Sequence, residues 1–264
     1  MKKLLLLLFI ATAVTACKTE SVDKISTSDE LIDSKLKVNN GTSPTVISFS
    51  GYTWNVKNPV STQGPGPNYW TSDNVWVDAN GRLHLKLSKN PVTNRWECAE
   101  VSSTTSFGYG TFQWKVDGPL GSLDKNVVFG MFNYSGNDGY DEMDIEYAKW
   151  GNAAANNLNY TIYPATGNPN PAYATYTQSI STPDGTYTTQ RFKRTANQVI
   201  LKSLHGFQDG NVNLFASKTF SSPPTSISTA SMPIFMNLWL FQGLAPSNNQ
   251  SVEVIIHEFK YTPL

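Results

Sequence analysis

Near the middle of the chain, Asp141-Glu142-Met143-Asp144-Ile145-Glu146-Tyr147 alternates acidic and apolar side chains. A strand turns every second side chain to the same face, so Glu142, Asp144 and Glu146 share one side and Met143, Ile145 and Tyr147 the other. Three carboxylates in a row repel one another. Between Arg95 and Lys149 the only cations are Lys115 and Lys125, so local sequence offers little compensation. A solvated acidic face is the ordinary reading of such alternation. Against it stands the scarcity of charge, 15% of all residues where roughly a quarter is typical. The acids are also surrounded by Tyr134, Tyr140, Tyr147 and Trp150, rings able to stack on sugars. Calcium also binds carboxylates, but it takes about six to eight oxygens in a loop geometry that a flat strand does not provide.

Two carboxyl groups suffice for glycoside hydrolysis. With retention of configuration they stand about 5–5.5 Å apart, one as nucleophile and the other as acid and then base. Residues i and i+4 of a strand have Cα atoms about 13 Å apart at ~3.3 Å per residue, and glutamates leaning inward by roughly 3.5 Å each close that to about 6 Å. An aspartate between them can hydrogen-bond either one, keeping one glutamate charged and helping the other stay protonated near neutral pH.

The elements that must position these acids read as strands. Asn74 to Asp78 and the alternating Arg82 to Ser88 flank Ala79-Asn80-Gly81, a β-hairpin signal with Asn-Gly at the turn. His84 falls on the polar face with Arg82 and Lys86 and is expected to be solvated. Further strands are expected at Tyr109 to Val116, Val127 to Tyr134, Glu142 to Tyr147, Asn159 to Tyr163, Gln198 to Ser203, Pro233 to Leu240 and Val252 to Tyr261. Gly, Pro, Asn and Ser separate them, and no segment keeps a helical apolar period for three turns. The fold class is all-β, an antiparallel sandwich of jelly-roll type.

With those elements in view, Glu142-Met-Asp144-Ile-Glu146 resembles the E-x-D-x-E signature of glycoside hydrolase family 16, the jelly-roll group that includes lichenases, laminarinases, agarases, carrageenases and xyloglucan enzymes. The Asn80-Gly81 hairpin, the Phe107 to Phe112 segment, the Phe129 to Tyr134 strand, Met236-Asn237-Leu238-Trp239 and the closing Val252 to Tyr261 strand resemble that family in the same order, over about residues 49 to 264. The resemblance implies Glu142 as nucleophile, Asp144 as assisting carboxylate and Glu146 as general acid/base. Lichenase-like members are the nearest branch: Asn237 and Trp239 match a substrate-contacting Asn-Leu-Trp, Glu100 a cleft glutamate and Asn159 a cleft asparagine. Tyr140 stands where that branch carries a tryptophan, Ser102 where it has an arginine and Thr161 where it has a tyrosine. Tyr134, Tyr140 and Trp150 complete the expected substrate-binding set. The implied activity is a retaining endo-glycosidase acting on β-1,3- or β-1,3-1,4-glucan. Alternatives are another polysaccharide (agar, carrageenan, xyloglucan), transglycosylation, or a non-catalytic carbohydrate-binding lipoprotein; a structural adhesion module lacks any supporting repeat.

Composition bounds the rest. Twenty Lys+Arg balance twenty Asp+Glu in 264 residues, leaving no basic field for nucleic acid. Met1-Lys2-Lys3 followed by the apolar Leu4 to Ile10 has the layout of a secretory signal, too short to span a membrane. Val14-Thr15-Ala16-Cys17 resembles the lipobox of bacterial lipoproteins, which implies cleavage after residue 16 and lipid on Cys17. Residues 17–44 lack aromatics and read as a flexible tether; residues 45–264 form the catalytic domain. The chain is thus expected to be exported and held at a membrane, on its periplasmic or cell-surface side. Cys98 is expected to be a lone buried thiol. His205 and His257 show no metal-ligand spacing. No cofactor or metal is expected for the chemistry, a structural calcium is left open, and a monomer is expected.

Overall fold

In the computed structural model, which describes residues 45–170, 172–181 and 185–264, turn chemistry and strand alternation yield an all-β fold. The Asp78 carboxylate accepts from the Asn80 and Arg82 amides, and Gly81 takes the positive φ of +76° that closes the turn; a glycine adopts this without a Cβ clash. The signal segment, Cys17 and the tether lie outside the described residues.

Sixteen strands follow in chain order. The first eight are β1 (Val46–Phe49), β2 (Tyr52–Val56), β3 (Tyr69–Trp70), β4 (Val75–Val77), β5 (Leu83–Lys89), β6 (Trp96–Phe107), β7 (Gly110–Asp117) and β8 (Val127–Tyr134). The others are β9 (Glu142–Tyr147), β10 (Leu158–Ile162), β11 (Ala174–Gln178), β12 (Tyr187–Arg194), β13 (Gln198–His205), β14 (Leu214–Ser221), β15 (Met232–Leu240) and β16 (Val252–Pro263). Helical structure among the described residues is confined to three short 3-10 turns. Every strand expected from the sequence is present, with ends shifted by one or two residues. β1, β2, β3, β11, β12 and β14 lie outside the strands expected from the sequence: β1, β2 and β3 are only two to five residues long, and β11, β12 and β14 are polar and rich in Thr and Ser.

One layer runs β1-β2-β6-β15-β8-β9-β10-β11 and the other β4-β5-β16-β7-β12-β13-β14, joined where β5 pairs with β6. All strand pairs are antiparallel except β3 on β6. The layers bury a shared core. Met143, Ile145 and Tyr147 of β9 are fully buried with Phe129 and Met131 of β8. Trp54 meets Phe259, and Phe107 meets Phe112, edge-on across the layers, a geometry aromatic quadrupoles favour. Polar groups bridge the layers too: Tyr160 Oη lies 2.6 Å from Ser203 Oγ, which donates to Gln190 Oε1 at 2.5 Å.

His84 corrects the expectation of a solvated side chain. It is 7% exposed, stacked at 4.7 Å on Trp76, with Nε2 3.1 Å from Asp78 and Nδ1 2.6 Å from Glu253. Asp78 in the turn and Glu253 on β16 cover it, which the alternation of β5 alone does not reveal.

Candidate active site

β9 sits between β8 and β10, and its register lays the acids into rows that cross the sheet. Asn159, Glu146, Gly130, Asn237 and Glu100 are successive partners on β10, β9, β8, β15 and β6. The adjacent row is Thr161, Asp144, Phe132, Phe235 and Ser102. Partners on neighbouring strands point to the same face. The acids therefore share their face with Asn237 and Glu100, while Met143, Ile145 and Tyr147 anchor the strand from behind. A cleft of about 760 Å³ opens over these rows, with Glu142, Asp144 and Glu146 all in its lining.

Burial governs the chemistry of the trio. It pushes the Glu142 carboxyl up to about 7, with a hydrogen bond from Asp144 pulling the other way and the Asp138 charge adding to the rise. Burial and then the Glu142 charge push Glu146 up to about 8. Asp144 is raised well above the usual carboxylate range by burial, by the charges of both glutamates and by its hydrogen bond to Glu142. Three acids that resist ionising together, in an open groove, are what acid and base roles at neighbouring positions require.

The other expected site residues divide. Glu100, Tyr134, Trp150, Asn237 and Trp239 line the cleft. Tyr134 donates its hydroxyl to Asp138. The Trp150 indole donates to Asn159 Oδ1 at 3.2 Å and packs against Trp239 and Phe241. Asn237 donates from Nδ2 to Glu100 Oε2 at 3.1 Å. Its Oδ1 and the Trp239 Nε1 are buried and lack a protein partner, which makes them exceptions to the usual pairing of buried polar groups. Two others stand apart from the lining. Tyr140 is not in the cleft lining; it sits in the turn closed by its amide to Asn137 O. Asn159 spends its amide on Trp150 and on Ala148 O at 2.9 Å and is also outside the lining; it positions the tryptophan.

Sequence reasoning missed Lys57, the Gly64–Gly66 wall, Phe132, Phe235, Asp138 and Tyr163, all of which line the cleft. Phe132 and Phe235 were legible in principle, being two residues from Gly130 and Asn237 on strands of known facing. Lys57, Asp138 and Tyr163 arrive from strand ends and loops, where no periodicity announces direction. Cys98 is buried, as expected, its thiol pushed up to about 12 by burial. Among the described residues no group of three or more His, Cys, Asp or Glu is placed to hold a metal ion.

No protein-family model matches the chain. A β-glucanase of Paenibacillus polymyxa is 28% identical over 102 residues, 38% of this chain and 41% of that protein, so the match spans about two fifths of the relative's length. The solved structure of a Bacillus licheniformis β-glucanase superposes with a TM-score of 0.58 at 21% identity, covering 85% of this chain and 95% of that one. A Bacteroides ovatus mixed-linkage glucan GH16 protein, in complex with a G4G4G3G product, superposes with a TM-score of 0.58 at 17% identity over 79% of this chain and 94% of that one. The fold is therefore that of these β-sandwich proteins.

Proposed function

We propose that this chain is a retaining endo-glycosidase of the family 16 type, hydrolysing β-1,3- or mixed-linkage β-1,3-1,4-glucan. The observation that carries the reading is a trio of high-pKa carboxyls on one strand face, at the floor of a cleft walled by Tyr134, Trp150, Tyr163 and Trp239. Glu142, hydrogen-bonded to Asp144 and losing its proton first, attacks the anomeric carbon as the glycosidic C–O bond breaks. Glu146, which holds its proton to higher pH, transfers it to the departing oxygen. Glu146 then takes a proton from water as that water displaces Glu142 from the sugar, so two inversions give net retention. Asp144, which burial keeps protonated well above the usual carboxylate range, donates to Glu142 and spreads its charge.

The lining also bears on substrate class. Glu100, Asp138 and the trio are acidic, and the only lining cation among the described residues, Lys57, is paired with Glu100 at 2.9 Å. Such a groove repels sulfated or uronate polymers and suits a neutral glycan, which favours a glucan over carrageenan. The β-glucanase relative points the same way. The N-terminal segment supports export and lipid attachment at Cys17 in addition.

The test is incubation of the protein with lichenan, laminarin, agarose and xyloglucan, with product linkage and anomeric configuration read by NMR. Oligosaccharides from a β-glucan, released first as the β-anomer, are expected. Glu142→Gln and Glu146→Gln should each reduce turnover by about a thousandfold or more. Binding without cleavage by the unmodified protein would instead favour the non-catalytic carbohydrate-binding reading.

A further inference from the structure

Lys57 follows the last residue of β2 and reaches the cleft wall. Its ammonium lies 2.9 Å from Glu100 Oε1, donates to Gly64 O at 2.6 Å, and sits 4.2 Å from the centre of the Trp70 ring. The other Glu100 oxygen, Oε2, accepts from Asn237 Nδ2 at 3.1 Å. An ionised carboxylate can only accept. Asn237 must therefore turn its amino group to Glu100 and its carbonyl oxygen the opposite way. That oxygen is buried without a protein partner on a residue 2% exposed. It lies over Gly130, where a Cβ would come within 2.7 Å of it. Gly130 is the register partner of both Asn237 and Glu146. The missing side chain makes the room that the Asn237 carbonyl occupies, next to the strand carrying the acids.

We propose that Lys57 is a positioning residue for sugar recognition. By pairing with Glu100 it orients the Asn237 amide of the cleft lining, seating Oδ1 over Gly130 as the unpaired acceptor left for a glycan hydroxyl. The inference rests on the glucanase reading of the cleft and adds a residue to it. Lys57 acts at one remove: the ammonium fixes the carboxylate, the carboxylate fixes the amide, and the amide reads the sugar. Its second bond, to Gly64 O, ties the cleft wall to the same group.

Two substitutions separate this role from simple packing. Lys57→Met removes the ion pair and keeps much of the stem over Trp70. Glu100→Gln lets the new amide oxygen accept from Lys57 while its NH2 faces Asn237, which then flips and offers the cleft a donor. On the glucan that the unmodified protein cleaves, each should raise KM about tenfold with kcat held within about twofold. Lys57→Arg should restore KM. The side-chain amide signal of Asn237 in 15N NMR, assigned by its loss in Asn237→Ser, should shift in both variants and stay in place in Lys57→Arg. An unchanged KM together with an unmoved amide signal in Lys57→Met overturns the proposal, as does failure of arginine to restore either. If the unmodified protein cleaves no glucan, the glucanase reading falls, while the amide signal still decides whether Lys57 orients Asn237.

Discussion

Burial makes Glu142, Asp144 and Glu146 all hold their protons more tightly, and the Glu142 charge adds to this at Asp144 and at Glu146, with consequences for activity and stability together. In the proposed reaction, attack needs Glu142 ionised and departure needs Glu146 protonated. The rate at limiting substrate should therefore rise as pH climbs through about 7, where Glu142 ionises, and fall as it passes about 8, where Glu146 does. Because the acids interact, these limbs belong to the trio as a unit. A Michaelis series across pH checks the shape; a flat profile from pH 5 to 9 contradicts it. The sign for stability follows from the same shifts. A carboxyl whose folded value is raised above the unfolded one makes the native state bind more protons. Stability is then full below the ordinary glutamate value and declines as pH rises from there through about 8. Glu146→Gln cannot ionise, so at pH 8 its Tm should exceed that of the unmodified protein by about 2–4 °C or more, with no gain at pH 4. Calorimetry at the two pH values reads it.

At the scale of elements, β9 works because its neighbours clear space for it. β8 places Gly130 beside Glu146 and Phe132 beside Asp144, so small and flat groups alternate under the groove. Gly130→Ala puts a methyl 2.7 Å from Asn237 Oδ1, closer than packed atoms allow, and the amide must turn away from β8. KM should rise about tenfold, although alanine is otherwise the better strand residue by about 0.5–1 kcal/mol. Steady-state kinetics on the preferred glucan is the check. The loop after β9 illustrates a division of labour of the same kind. Trp150 has a φ of +51°, and Asn159 on β10 holds its indole nitrogen. Asn159 thereby aims a ring that lines the groove. β10 was legible as a strand from its alternation, but the partner of each amide on it was not, because that depends on which loop folds back across the sheet edge.

For the molecule as a whole, the two layers carry opposite surfaces. The cleft side gathers carboxylates, whereas a groove of about 350 Å³ on the other layer is lined by Arg191, Lys193, Lys202 and Lys260 around Asp209. Arg191 is occupied there, donating to Gln113 Oε1, Asn211 Oδ1 and the carbonyls of Gln208, Asp209 and Gly210, which ties the 206–211 loop to the sheet. A net charge of zero thus hides a separation that only folding creates. Attachment through Cys17 is the remaining proposal at this scale. Cys98 is buried and its thiol is pushed up to about 12, so it should resist thiol reagents in the native protein and offer no competing acylation site. Expressed with residues 1–44 in place, the protein should incorporate labelled fatty acid and sediment with membranes, and Cys17→Ala should abolish both; incorporation that survives the substitution rules out this anchor.

Facing along a strand is a property of the backbone, repeating every two residues whatever surrounds it. The acid trio, the Asn80-Gly81 turn, the buried face of β9 and the all-β class could therefore be read from neighbouring letters. Who stands opposite whom is different, for it depends on loop closure over long stretches of chain. Lys57 meeting Glu100, Glu100 meeting Asn237 across 137 positions, His84 enclosed by Glu253 and Asn159 turned to Trp150 all rest on register between strands remote in sequence. No local period encodes those pairings, so the groove above the acids, and the proton affinities that burial within it produces, exist only once the two layers have closed.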